Sequence, residues 1–376
     1  MPNLKQPVAG FIASAVIIAI SLGFISLFTF PTFAGWVSYY LVCVVPIQLV
    51  IGVLWHGTYP AFASKLAQPA KGIVLTLLAL VVALIQAAIF FYVVGGRINP
   101  PTPILEHFAI VTVVTTFWIM FMFGAWPFTT FSKNPGVVGL SLLIGVWIIA
   151  YVLFRALFNY ALFKGAPFYV DKLDPKGLFM GPAALSFFIS VMLGLFLVLN
   201  FDLWPLTKSP AVMEQPVLGI VMTALTIAIG GLASYIAVKI LHVDPMVMLA
   251  QFSVAFIFGV IVVLIMCQGS LFHTFNQPLK GVLCTVTSAV IGFGLSAFYH
   301  AMHPMLSGRL ASGPPTYDYQ VWLASALLAV TFPFLSFCGF FDMWPFIRPE
   351  KWTPSLKVET EKAKIQVPEA ELTSVR

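Results

Sequence analysis

The sequence predicts an all-α polytopic membrane protein: ten transmembrane helices, arranged as five tandem helical hairpins in quasi-fivefold order. Three observations predict it. Of the 376 residues, 60% are hydrophobic and only 9% are charged, whereas a soluble domain of this size carries about 25% charged residues. Apolar runs longer than ~18 residues recur along the chain, so the surrounding solvent is lipid. A short signal also opens such a run five times: Gln6-Pro7 with Gly10, Gln68-Pro69 with Gly72, Asn134-Pro135 with Gly139, Gln215-Pro216 with Gly219 and Gln277-Pro278 with Gly281.

Each signal is followed by two apolar segments. Hydropathy places spans 1 and 2 at roughly 9–30 and 35–55, and spans 3 and 4 at roughly 72–95 and 104–126. Spans 5 and 6 fall at roughly 137–163 and 177–204, spans 7 and 8 at roughly 216–241 and 245–268, and spans 9 and 10 at roughly 280–302 and 319–344. The membrane domain then covers 1–348, and a polar, charged segment at 349–376 reads as a solvated tail. Ten spans with short loops leave no room for a separate soluble domain. The run after Lys5 is too long for a cleavable signal and reads as the first span. Cys43, Cys267, Cys284 and Cys338 lie in apolar runs without a CxxC pattern and read as packed thiols.

Proline cannot continue a helix but suits its first turn, so the Gln-Pro signals read as helix starts. The even spans end on Trp126-Pro127, Trp204-Pro205 and Trp344-Pro345, with Trp55 and Leu271 in the corresponding places. These motifs read as helix stops with interfacial tryptophan anchors. Lysines and arginines divide evenly between the two faces. The basic residues from Arg348 to Lys364 tip the balance toward both termini being cytoplasmic, in a bacterial inner membrane. The net charge of +6 fits loops near an anionic leaflet and gives no nucleic-acid signal.

An even number of helices per repeat sends every repeat into the bilayer in the same direction, which favours a closed ring. Odd spans are richer in small residues and even spans in aromatics, so odd spans are expected inside and even spans outside. Four residues after the repeat glycine stand Ser14, Thr76, Thr223 and Thr285, with Ser141 shifted in the third copy. These hydroxyls could form a polar collar around a conduit or bond back to their own helices. Phe293, between Gly292 and Gly294, is the candidate gate of a hydrophobic constriction, with knob-in-hole packing as the plainer alternative. Arg155 would favour anions if it faced inward, and would otherwise snorkel to the interface. Asp202 and Asp342 read as interfacial turn residues. Glu106 and His107 open span 4, where an acidic residue suits the helix N-terminus.

His300 and His303 are the weak candidates for a metal or haem, with no further ligand set evident. No HExxH, P-loop, GxSxG elbow or triad occurs, so neither an enzyme nor a cofactor is expected. The five Gln/Asn-Pro helix starts and a mid-membrane Phe293 resemble the plan of the tellurite-resistance/dicarboxylate transporter and plant slow-anion-channel family. That resemblance implies ten helices with the odd set innermost, and Phe293 as a gate.

The expected function is therefore a channel or transporter for a small anion or weakly polar solute, with a central pathway along the odd spans. The alternative is a non-catalytic membrane subunit of a larger complex, associated with lipid, quinone or haem. The expected partners are the lipid bilayer, the solute, and further copies or complex subunits.

Overall fold

The computed structural model describes residues 4–166 and 169–347. Among these, ten helices are long and apolar enough to cross a membrane: Val8–Ile25, Phe30–Leu54, Ala70–Val93, Pro103–Met122, Pro135–Leu157, Gly181–Asn200, Val217–Ile240, Pro245–Met266, Leu279–Ser307 and Asp318–Gly339. They are spans 1 to 10. The only strand pairing among the described residues is a two-residue parallel bridge, Phe158–Asn159 against Phe179–Met180. The expected tail at 349–376, and the basic residues from Arg348 to Lys364, lie outside the described residues.

The even spans form the interior, which corrects the expected order of layers. Between 56% and 72% of each even span is buried, against 28% to 39% of each odd span. Span 2 packs on spans 4 and 10, span 6 on spans 4 and 8, and span 8 on span 10, so the even spans close on themselves. Each odd span lies outside, chiefly against the even span that precedes it; span 1 docks on spans 10 and 8. The aromatics of the even spans are core residues: Phe108, Phe117, Phe196, Phe258, Phe334 and Phe340 are all buried.

The small residues of the odd spans have a different purpose from lining a conduit. A Cβ on Gly230 would collide with the Ser190 backbone, and one on Gly292 with the Ala255 carbonyl. These glycines let an outer helix approach an inner one closely. The opposite faces of the same helices expose Leu77, Leu84, Ile148, Ile220, Val286 and Val290, the surface expected against lipid chains.

The repeated signal is a clasp. Gln6 Nε2 donates to the Met266 carbonyl at 3.1 Å, Gln68 to Phe340 at 2.8 Å, Gln215 to Met122 at 2.9 Å and Gln277 to Asn200 at 3.5 Å. Each glutamine Oε1 accepts from the backbone N–H of its own repeat glycine. One side chain thus caps the start of an odd span and satisfies a carbonyl left over at the end of an even span. The repeat glycine leaves room for the next side chain along: Phe341 against Gly72, Phe123 against Gly219 and Phe201 against Gly281.

The Asn134 copy departs from this scheme. Asn134 caps its own helix by accepting from Gly136 N–H at 2.9 Å, while Trp55 Nε1 donates to the Pro135 carbonyl at 2.7 Å. Trp55 packs on Gly139, so it takes the place of the phenylalanine ring and not that of the Trp-Pro tryptophan.

Each even span then ends in two consecutive left-handed residues: His56-Gly57, Gly124-Ala125, Asp202-Leu203, Gln268-Gly269 and Asp342-Met343. This turn reverses the chain immediately after the clasp carbonyl. Asp202 and Asp342 therefore are turn residues, as the sequence implies.

Candidate functional site: a central cavity between the even spans

Because the five even spans close on themselves, their inward faces enclose a cavity of about 150 Å³ to which all five contribute. Its wall is mostly aliphatic, with Val42, Ile110, Leu185, Ile189, Leu249, Ile257 and Leu328 among its lining. The polar groups gather where the even spans begin. Ser325 Oγ donates to Ser38 Oγ at 2.9 Å, and Ser38 Oγ donates to Glu106 Oε1 at 2.6 Å. Gln320, in the first turns of span 10, also lines the cavity, and its buried Oε1 has no hydrogen-bond partner. Glu106 has no cationic partner among the described residues. An ionisable group at such depth is expensive to keep and marks function by default.

The Glu106 end is roofed. A second cavity of about 40 Å³ shares His107, Met246 and Val321 with the first and is lined above by Tyr160, Phe163, Tyr169 and Tyr317. Tyr160 and His107 are joined through Tyr160 Oη and His107 Nδ1 at 2.8 Å. The loop carrying Tyr160 is organised by buried Asp174, which accepts from the Tyr160 N–H at 3.0 Å, the Lys176 N–H at 2.9 Å and the Tyr169 hydroxyl at 3.0 Å. Burial, and then the nearby Asp174 carboxylate, push the Tyr160 hydroxyl well above its ordinary pKa. Tyr160 therefore stays a neutral phenol beside His107. Tyr317 donates to Asp244 at 2.9 Å; burial and then that bond push it up to about 12.

The deep end is lined by rings. Phe117 and Phe258 line the cavity; Phe117 packs on Phe196 with centroids 5.5 Å apart, and Phe258 on Phe334 at 5.3 Å. Phe117 lies eleven residues after Glu106, or roughly 16 Å along span 4 at 1.5 Å per residue. Beyond the rings, Gln48 Nε2 ties span 2 to span 10 through the Phe332 carbonyl and Ser336 Oγ, both at 2.8 Å.

None of the pathway residues expected from sequence lines this cavity. Ser14, Thr76 and Thr223 donate back to the carbonyls of Gly10, Gly72 and Gly219 at 2.7, 2.8 and 2.6 Å. Thr285 accepts from Asn200 Nδ2 at 3.3 Å. These hydroxyls sit on outer helices and serve packing. Phe293 is 42% exposed and meets Phe252 at 6.0 Å on the outer surface. It follows Gly292, which faces inward, by one helical step. Arg155 is exposed near the end of span 5. His300 meets the Tyr319 ring edge-on and His303 meets it tilted, and His303 Nδ1 is hydrogen-bonded to the His300 carbonyl at 2.7 Å. Among the described residues, no three His, Cys, Asp or Glu side chains gather as a metal site would require.

The residues that do meet at the cavity mouth are Glu106, His107, Ser38, Gln320 and Ser325. In sequence, Glu106 and His107 read as residues that open span 4, and none of the five carries a pathway signal. The available signal is that Glu106 is an acidic residue in the first turn of an apolar span with no basic residue a helical turn away, a property that Asp202 and Asp342 share at span ends. No family model, no curated protein and no solved structure matches this chain.

Proposed function

We propose that the protein is a membrane channel or transporter in which a small, weakly polar solute passes through the central cavity between the even spans. One observation carries this reading: all five inner helices contribute to a single cavity, polar at one end, roofed by a loop there and lined by rings at the other. A solute site with a loop over one end and rings at the other fits a pathway opened by movement of the loop or the rings. The pathway runs along the even spans and not the odd ones. Glu106, with no lysine or arginine among the described lining residues, favours neutral or cationic solutes over the small anion expected from Arg155. On this reading both termini are cytoplasmic, and the loop around Tyr160 faces the opposite side.

The test is solute flux into liposomes carrying the purified protein. Ala324→Cys places a thiol in the cavity wall. Its modification by a small thiol reagent should abolish most of the flux, while the four native cysteines alone should not respond. Flux that continues through the modified variant would remove the cavity from the pathway.

A second reading has one observation in its favour. An apolar cleft of about 410 Å³, lined by Leu193, Leu197, Ile236, Phe252 and Phe293, lies toward the lipid-facing surface. It suits an acyl or isoprenoid tail, as a lipid- or quinone-associated subunit of a larger complex would need. Stoichiometric partners retained through purification would favour that reading.

A further inference from the structure

The polar end of the cavity has unused hydrogen-bonding capacity, part of it in acceptors that face no donor. Both serine hydroxyls point along the chain Ser325 to Ser38 to Glu106, so their protons are already committed to reaching the carboxyl group. The acceptors that remain are the buried, partnerless Gln320 Oε1 and the rest of the Glu106 carboxyl, with the Gln320 amide N–H groups beside them. His107 is engaged through Nδ1 with Tyr160. Among the described residues, no lysine or arginine lines the cavity to balance Glu106. A partnerless buried acceptor and a half-buried acid without a counter-charge are served by the same partner, a donor with positive charge. An ammonium group offers three donors and no acceptor.

The rest of the wall sets the body of the ligand. It is aliphatic and aromatic, and a cavity of about 150 Å³ in an apolar core is of the size that accommodates benzene. We infer that the central cavity binds small organic ammonium ions: a primary ammonium held by Glu106 and Gln320, on an apolar body about the size of one six-membered ring. This rests on the reading of the cavity as the solute site and adds to it a class of solute.

The test compares three probes of one shape on the full-length protein in detergent: benzylamine, benzyl alcohol and benzoate, at a pH where the amine is protonated. Calorimetric titration should show benzylamine binding at least tenfold tighter than benzyl alcohol, with no benzoate binding. Glu106→Gln keeps the shape of the side chain and should remove most of that preference, leaving benzyl alcohol within about threefold of its original affinity. Gln320→Leu should weaken benzylamine by several-fold, and retained thermal unfolding behaviour would show that each variant is folded. Equal binding of amine and alcohol, indifferent to Glu106→Gln, overturns the ammonium assignment while leaving the cavity as a solute site. Preferential benzoate binding overturns it as well. Failure of all three probes to bind overturns both the assignment and the reading of the cavity beneath it.

Discussion

Lys71 Nζ lies 2.9 Å from Asp342 Oδ2, across the clasp that joins the start of span 3 to the end of span 10. The same pair recurs as Lys280 and Asp202 at 2.7 Å, joining span 9 to span 6. In both cases the clasp glutamine donates to the same carboxylate oxygen. The other two Gln-Pro clasps lack both partners together. Ala9 and Leu218 stand where the lysines would be, opposite Gln268 and Gly124. The charges are thus present or absent as pairs, as expected where a lone acid near the bilayer would be costly.

This predicts a transplant. Gly124 has φ +55°, and Asp202 and Asp342 adopt the same left-handed backbone at φ 49° and 50°. Aspartate at 124 therefore fits its backbone, within reach of Gln215 Nε2, which lies 3.6 Å from a Cβ built there. Leu218→Lys alone should destabilise the protein, by about 1–2 kcal/mol for a buried leucine replaced with a cation. Adding Gly124→Asp should recover most of that loss. Chemical unfolding in mixed detergent micelles measures both; a double variant no more stable than Leu218→Lys would refute the pairing rule.

The repeat glycine predicts a second non-additive pair. A Cβ on Gly72 would fall inside van der Waals contact of the Phe341 ring. Gly72→Val should cost about 2–4 kcal/mol through overpacking. Phe341→Ala opens a cavity and should cost about 3 kcal/mol by itself. If the two occupy one space, the double variant should be less destabilised than the sum by at least 1 kcal/mol, a coupling expected only of residues in contact. Simple additivity in a double-mutant cycle would deny that contact.

Asp174 fixes the roof of the cavity through three hydrogen bonds within the loop between spans 5 and 6. Asp174→Ala leaves the Tyr160 amide without its partner and should cost about 2–3 kcal/mol of local order. The loop contains Lys164, Lys172 and Lys176. Trypsin should therefore cut it at least tenfold faster in the variant, since cleavage follows the local opening free energy. Unaltered cleavage, with the rest of the protein still folded, would show that Asp174 does not hold the roof.

The number of spans and the proline-marked starts are legible because hydropathy and proline placement report the helix directly, while several span ends differ by five or six residues. The layer order was not. In lipid the outside of a helix bundle is as apolar as its inside, so hydropathy cannot tell a lipid-facing span from a central one. The two sets overlap in mean hydropathy. Aromatic content was read as lipid exposure, yet Phe117, Phe196 and Phe334 fill the core. Gly292 reads in sequence as the flank of a gating ring, yet it and Gly230 each accommodate the backbone of a neighbouring inner helix. Glu106 was visible as an acid in an apolar run, but its partners Ser38 and Ser325 come from spans 2 and 10 and meet it only in the fold. A pair separated by 287 residues leaves no local pattern to read.

The aromatic closures give the last prediction, and it separates the two layers by function. Phe293 lies at the outer surface, so Phe293→Ala should leave solute flux within about twofold of the original. Phe117 is buried, lines the cavity and packs on Phe196. Phe117→Ala removes a ring from the deep closure and should raise the leak of small solutes at least tenfold, if hydrophobic rings are what exclude water there. The same truncation should destabilise the protein by about 3 kcal/mol, because the ring is also core. Phe117→Leu is the control, since it keeps much of the volume and should restore stability more fully than closure. Liposome flux measured on the three variants decides the matter. A leak from Phe293→Ala with none from Phe117→Ala would return the pathway to the odd spans.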